Sequence, residues 1–152
     1  MATGPLSEEE YKEVYSKVPK LCVDLVIAHQ GGILLTLRDL PHWHNEWHLP
    51  GTAVRYKEPV LEAVRRVAQN ELHMSVSVEK LLGYIEYPSE EKERGFGRSV
   101  ALAFLCSPTS GFEVGEGASD ARVFTTLPGE MIAEQKAFVS VHWGAISQTV
   151  AA

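Results

Sequence analysis

A strand that stops at Leu49-Pro50-Gly51, a short loop carrying Glu58, and an amphipathic helix opening at Pro59 set the frame around which the rest of this chain has to fold. From Pro59 onward the apolar residues Val60, Leu61, Val64, Val67, Ala68 and Leu72 recur at three and four, as a helix with one buried face requires. Proline suits a first helical turn, where its missing N–H costs nothing. Glu71 falls in the last turn, near the negative end of the helix dipole, where a carboxylate is disfavoured by roughly 0.3–1 kcal/mol. A cation would remove that penalty. Strand stop, loop carboxylate and helix-end carboxylate together make a way to hold a divalent cation against a diphosphate. The competing reading of Glu71 is a solvated surface acid paired with Arg65 or a neighbour.

Strands and helices are mixed along the remainder. Ser7 followed by Glu10 forms a capping box and predicts a helix from about Glu8 to Lys17, ended before Pro19. The runs Leu21 to Ala28 and Ile33 to Arg38, separated by Gly31-Gly32, predict a hairpin. Asp39 to Glu46 reads as a loop, Trp47 to Leu49 leads into the Pro-Gly stop, and Thr52 to Tyr56 forms a short strand. Further strands are expected at Val76 to Tyr87, Ser99 to Leu105 and Arg122 to Thr125. The charged, glycine-containing stretch Ser89 to Gly97 reads as a mobile, solvated tip, from which Arg94 and Arg98 would reach a phosphate on closure. After Pro128 come two helical pieces, with Ala137 to Val150 the clearer. There is no internal repeat or low-complexity tract, and the pattern is α+β.

With 152 residues and 45% hydrophobic content the chain can bury one core, and a single domain over 1–152 is expected. The net charge of −6 argues against a general nucleic-acid surface, which needs a basic face to displace counterions. Cys22 and Cys106 fall within apolar runs and lack CxxC spacing, so they give neither a disulfide nor a zinc framework and suggest a reduced, cytoplasmic setting. No apolar run approaches the ~18–20 residues of a membrane span, and the acidic N-terminus is unlike a secretory signal.

The segment from Trp47 to Leu72 resembles a Nudix box with several substitutions. Laid on that pattern, Thr52 takes the position of its first glycine, Glu58 that of its first glutamate, Arg66 that of its arginine and Glu71 that of its last glutamate. Val67 and Asn70 stand where two further glutamates belong, and His73 replaces the closing glycine. Positions 67, 70 and 71 share a helical face, so two of three negative ligands are gone. The GDP-mannose mannosyl hydrolase group also has a reduced box that keeps the arginine and last glutamate, and the resemblance extends over nearly the whole chain. Ser7 to Tyr11 is similar to that group's N-terminal helix, Cys22 to Ile27 to its first strand and Ile33 to Arg38 to its second.

The resemblance implies an α/β/α sandwich with a mixed central sheet and a magnesium-dependent hydrolase of a nucleoside diphosphate linked to another group, in particular a nucleotide sugar. One magnesium ion would sit at Glu71 and the main-chain carbonyl near Gly51-Thr52, assigned to Thr52. Arg38 and Glu71 would be catalytic, with Asp24 and Arg38 serving the nucleotide and the departing phosphate. A homodimer is the expected assembly. That group also carries a Gln-His pair before its last strand, supplying a metal ligand and a general base, where this chain reads Glu116-Gly117-Ala118-Ser119-Asp120. Glu116, Asp120 and His142 remain as alternatives for that work. The departures leave open a second class, a Nudix fold that binds a nucleotide without turning it over.

Other signals are weaker. His42, His44 and His48 lie in one stretch, but without a cysteine or acidic partner pattern they read as solvent- or substrate-facing rather than as a zinc site. Trp43 and Trp47 are candidates either for the core or for stacking on a base or sugar, and Trp47 is the one assigned to the substrate.

Overall fold

A computed structural model describes residues 4–151. In chain order the elements are α1 (Glu8–Tyr15), β1 (Lys20–His29), β2 (Gly32–Arg38), β3 (Trp47–His48), β4 (Gly51–Ala53), α2 (Val60–Leu72), β5 (Val76–Glu86), α3 (Glu90–Arg94), β6 (Ser99–Pro108), β7 (Ala118–Phe124) and α4 (Ala133–Ala151). The capping box forms as expected, with the Glu10 N–H donating to Ser7 Oγ at 3.1 Å and the Ser7 N–H to Glu10 Oε1 at 3.0 Å. The hairpin turn sits one residue earlier than the glycine pair suggests. Gln30 and Gly31 take the two left-handed positions, with φ of 48° and 83°. Gly32 instead begins β2, where a Cβ would lie 2.0 Å from the Phe124 carbonyl oxygen.

The sheet is mixed and forks at β1. One edge of β1 runs parallel to β6 over Lys20 to Ile27, and β6 pairs antiparallel with β5. The other edge is divided: Cys22 to Asp24 pair with β4, while Ala28 and His29 pair with β2. Beyond the hairpin β2 leaves β1 and pairs with β3 on one side and β7 on the other. The two arms of the fork are therefore β1–β4 and β2–β3, open toward Asp24 and Arg38.

Alternation along β1 sends Val23, Leu25 and Ile27 to a core beneath α2, with Ala63, Val64, Val67, Ala68 and Leu72. Cys22, Val26 and Ala28 face the opposite core, built with Ile132, Val139 and Ile146 around α4. The result is the expected sandwich, a sheet between helical layers.

Several boundaries differ from the sequence reading. α1 stops at Tyr15, β4 is three residues long, β7 begins already at Ala118, and α4 is one helix rather than two pieces. The largest difference is Ser89 to Gly97, which holds the short helix α3, with Glu90 only 1% exposed. Glu90 and Arg94 turn inward and pair, while Glu91, Lys92 and Glu93 face water as expected.

Candidate active site

The fork opens into a cleft of about 620 Å³ whose lining includes Asp24, Arg38, Gly51, Asn70, Glu71 and Glu116, together with Lys20, His42, Trp43, Glu90 and Arg94. Asp24, Arg38 and Glu71, which lie far apart in the sequence, are thus brought to one space.

Asp24 is held by a relay. Tyr87 Oη donates to Asp24 Oδ2, Gln135 Nε2 donates to Tyr87 Oη at 2.9 Å, and the Leu49 N–H donates to Gln135 Oε1 at 2.7 Å. Tyr87 and Gln135 are buried, so β1, α4 and the Pro-Gly stop are tied together through the carboxylate. Burial raises the Asp24 pKa to about 7, opposed by the Tyr87 hydrogen bond and the Arg38 charge. Burial likewise pushes the Tyr87 hydroxyl well above its ordinary range. Neither Tyr87 nor Gln135 carries a signal readable from local sequence, because their partners come from other elements.

Glu71 is half-buried at the floor of the cleft. Burial raises its pKa to about 8; Arg38 and the Gly51 N–H pull it down, and the neighbouring Asp24 and Glu116 charges push it up. The carbonyls at its end of α2 are taken by the following loop, with N–H groups of Glu113, Gly115 and Glu116 donating to Leu72, Glu71 and Asn70 at 2.8–2.9 Å. Gly115 is required there, since a Cβ would lie 2.2 Å from the Asn70 carbonyl oxygen.

The register between β1 and β4 corrects the assignment of Thr52. The Leu25 N–H donates to the Pro50 carbonyl and the Val54 N–H to the Leu21 carbonyl, so Thr52, opposite Val23 between them, turns its own N–H and C=O into the ladder. Gly51 is the residue whose peptide groups face away from β1, toward Glu71. It also has to be glycine, because a Cβ would lie 2.2 Å from Asp24 Oδ1.

Arg38 stands at a bulge in the β2–β7 pairing, which re-aims the end of the strand. Its Nε donates to the His42 carbonyl at 3.0 Å, and its guanidinium lies 5.5 Å from the Trp43 ring centre. The terminal N–H groups make no hydrogen bond among the described residues. Trp43, not Trp47, borders the cleft. Alternation puts Trp47 and His48 on opposite faces of β3, and Trp47 packs edge-on against Phe124, 4.7 Å between centres, as part of the α4-side core.

The three histidines go separate ways. His48 is buried against Thr36 Oγ1 at 2.9 Å, and burial holds its pKa down at about 3. His44 is exposed, while His42 is buried in the cleft wall. Arg66 forms a two-pronged pair with Glu58, at 2.8 and 2.9 Å, and donates to the Ala53 carbonyl at 2.9 Å. This pair clamps α2 to β4 and holds the Glu58 carboxyl well below its usual range. Of the three alternatives for the missing Gln-His pair, Glu116 lines the cleft. Asp120 pairs with Arg122 at 2.8 Å, and His142 stacks on Phe138 along α4.

Asp24, Glu71 and the Gly51 carbonyl form a set of hard oxygen donors, two of them carboxylates whose charge is strained by burial. That chemistry suits magnesium, which takes one or two carboxylates and keeps part of its water shell. Among the described residues no three His, Cys, Asp or Glu side chains group as a metal cluster. No helix among the described residues is long and apolar enough to cross a membrane.

A sequence model of the NUDIX domain matches residues 18–141. The low-salt glycan biosynthesis protein Agl8 of Haloferax volcanii is 38% identical over 85 residues, covering 56% of this chain and 54% of that protein. The chain thus spans about half the length of this curated relative. Among solved structures, a NUDIX hydrolase from Nitrosomonas europaea superposes with a TM-score of 0.74 at 16% identity, over 88% of this chain and 75% of that one. A UDP-X diphosphatase does so with a TM-score of 0.68 at 21% identity, over 95% of this chain and 72% of that one. Both likenesses are of fold.

Proposed function

The chain belongs to the Nudix family, and from that premise we propose that it is a magnesium-dependent hydrolase of a nucleoside diphosphate linked to a second group, specifically a nucleotide sugar. The observation that carries this reading is the meeting of Arg38, Asp24 and Glu71 in one cleft, both carboxyls raised in pKa by burial and the terminal donors of the guanidinium open. The likeness to Agl8, a protein of glycan biosynthesis, supports the sugar, and the likeness to a UDP-X diphosphatase supports the diphosphate.

Glu71, with the Gly51 carbonyl in the place expected for Thr52, would hold the magnesium ion. When bound, that ion neutralises diphosphate charge and polarises the phosphoryl oxygens. Arg38, oriented by the His42 carbonyl and the Trp43 ring, offers paired donors to phosphate oxygens that gain charge as the bond breaks. Asp24, fixed by Tyr87 and Gln135, presents its second oxygen toward Gly51 and orients the nucleotide side of the substrate. Trp43 takes the stacking role expected of Trp47. A cytoplasmic setting and a homodimer go with this reading; both cysteines are buried free thiols.

A screen of nucleotide sugars and dinucleotide-like diphosphates, with and without magnesium, tests the proposal. Hydrolysis that needs magnesium supports it, and no turnover of any diphosphate sinks it. The absence of a three-ligand cluster among the described residues favours the second reading, a module that binds such a ligand without cleaving it. In that case the same compounds would raise the melting temperature and remain intact.

A further inference from the structure

Lys20, Glu90, Arg94 and the His42 imidazole also line the cleft, and although these side chains have no part in the hydrolysis just described, they bring buried charge to it. Lys20, 6% exposed, donates from Nζ to Tyr11 Oη at 2.6 Å and to Glu90 Oε2 at 3.1 Å. An ammonium has three donors, so one N–H of Lys20 has no oxygen or nitrogen acceptor among the described residues, with Nζ 5.1 and 5.7 Å from the Tyr11 and Tyr15 ring centres. Glu90 is shared: Ser99 Oγ donates to Oε1 at 2.6 Å, and Arg94 Nε lies 3.2 Å from the same Oε2 that Lys20 uses. One carboxylate thus answers two cations. Beside them His42 is 7% exposed, and its Nε2 is buried with no hydrogen-bond partner among the described residues. Burial and the charges of Arg94, Arg38 and Lys20 hold that imidazole neutral, with a pKa of about 4. Neutral imidazole keeps one N–H to donate.

We propose that Lys20 and His42 form a second anion subsite, separate from the diphosphate, which binds a phosphate or carboxylate on the group beyond the nucleotide. The substrate is then a nucleoside diphosphate linked to an acidic moiety. This deepens the hydrolase reading and rests on it for the nucleotide, but not for the anion. The geometry supplies what an anion needs: an unspent ammonium proton, an unpaired ring nitrogen, and a buried setting in which charge interactions are screened little. It also supplies room, since a cleft of about 620 Å³ holds a ligand with several charged groups.

The test follows the ring nitrogens of His42 by nitrogen-15 NMR in the full-length chain, titrated with inorganic phosphate in one arm and acetate in the other. At least one anion should move the His42 signals and raise the melting temperature, and the stronger response identifies phosphate or carboxylate. In Lys20→Met, Glu90 keeps Arg94 as its partner, so the fold should persist while the response disappears. His42→Phe gives a second route, removing the donor and leaving the ion pairs in place, with the anion-induced melting shift reduced. Silence of His42 toward both anions overturns the subsite. So does a response that survives Lys20→Met, which would place the anion at Arg38. A nucleotide sugar with a carboxylate on its hexose should bind at least about tenfold more tightly than its neutral counterpart, roughly 1.4 kcal/mol, and equal affinities overturn the substrate assignment. An anion response without turnover of any diphosphate leaves the subsite standing and rejects the hydrolase.

Discussion

Glu71 and Glu90 line the same cleft, and their carboxyl groups are driven in opposite directions. Both suffer the burial that favours a neutral acid. At Glu90 that burial is outweighed by Lys20, the Ser99 hydroxyl and Arg94, and its pKa falls below the ordinary value. At Glu71 the Arg38 charge is too little, and the pKa rises to about 8. One carboxylate is satisfied within the fold; on the proposed reading the other waits for a cation. The difference separates a buried acid that holds structure from one that awaits a ligand.

The comparison breaks first at Glu90. Glu90→Gln leaves Lys20 and Arg94 buried without their counter-charge, and breaking such a pair costs about 3–5 kcal/mol. Urea denaturation should show a loss of that size with the magnesium response intact. A variant as stable as the parent would mean that the basic cluster is solvated and that the contrast with Glu71 is not real.

Glu71→Gln should act in the opposite way. A neutral amide removes the strained charge and is a poor ligand for a hard cation. The fold should hold, and the magnesium-induced stabilisation, about 2.7 kcal/mol at a hundredfold excess over Kd, should vanish. Proton linkage gives a second readout. Asp24 and Glu71, with pKa values of about 7 and 8, retain protons in the folded chain that the unfolded chain releases from about pH 4 upward. The folded state therefore binds more protons across that window, and stability of the metal-free protein falls as pH rises through it. Denaturation midpoints should drop from pH 5 to 8.5, and less so in Glu71→Gln. A flat profile would show that these carboxyls are hydrated and ordinary.

The settings of the two carboxylates are also unequally legible in the sequence. The periodicity from Pro59 to Leu72, the Ser7 capping box and the strand runs are local patterns, and each appears at nearly its expected position. Glu71 can be singled out because it ends such a pattern, whereas Asp24 and Arg38 are singled out through the family resemblance. Glu90 reads as one more charge in Glu90-Glu91-Lys92-Glu93-Arg94, and nothing local says that Lys20, 70 residues away, buries it. Tyr87 and Gln135 escape sequence reasoning for the same reason, since their bond spans 48 residues. Thr52 is misassigned because sequence spacing does not reveal which carbonyls a strand spends on its ladder. Trp47 is misassigned because a two-residue strand is too short for its alternation to be read.

Arg38 meets both the Glu71 charge and the His42 carbonyl, and its substitution tests what it serves. On the hydrolase reading its fork meets the departing phosphate, and Arg38→Lys keeps the charge but loses the paired donors. Turnover of the substrate should fall at least about tenfold, about 1.4 kcal/mol of transition-state stabilisation, with little change in melting temperature. Full turnover with a lowered melting temperature would make Arg38 a structural counter-charge for Asp24 and Glu71.

The smallest expected effect asks whether Glu71 is positioned by its helix end or by the loop that covers it. α2 closes with the His73 N–H donating to the Gln69 carbonyl and the Met74 N–H to the Ala68 carbonyl, at 3.0 and 3.2 Å, a Schellman pattern that places His73 in the left-handed region at φ 46°. A residue with a Cβ pays about 1–2 kcal/mol there, and glycine would recover that less the roughly 0.5–1 kcal/mol of its extra freedom when unfolded. His73→Gly should therefore stabilise the chain by about 0.5–1 kcal/mol, measured by urea denaturation. The magnesium response should not change, because Gly115 and Glu116 already grip the Glu71 and Asn70 carbonyls from the other side. A gain in stability with altered magnesium affinity would show that the strained cap, not the loop, sets the position of the carboxylate.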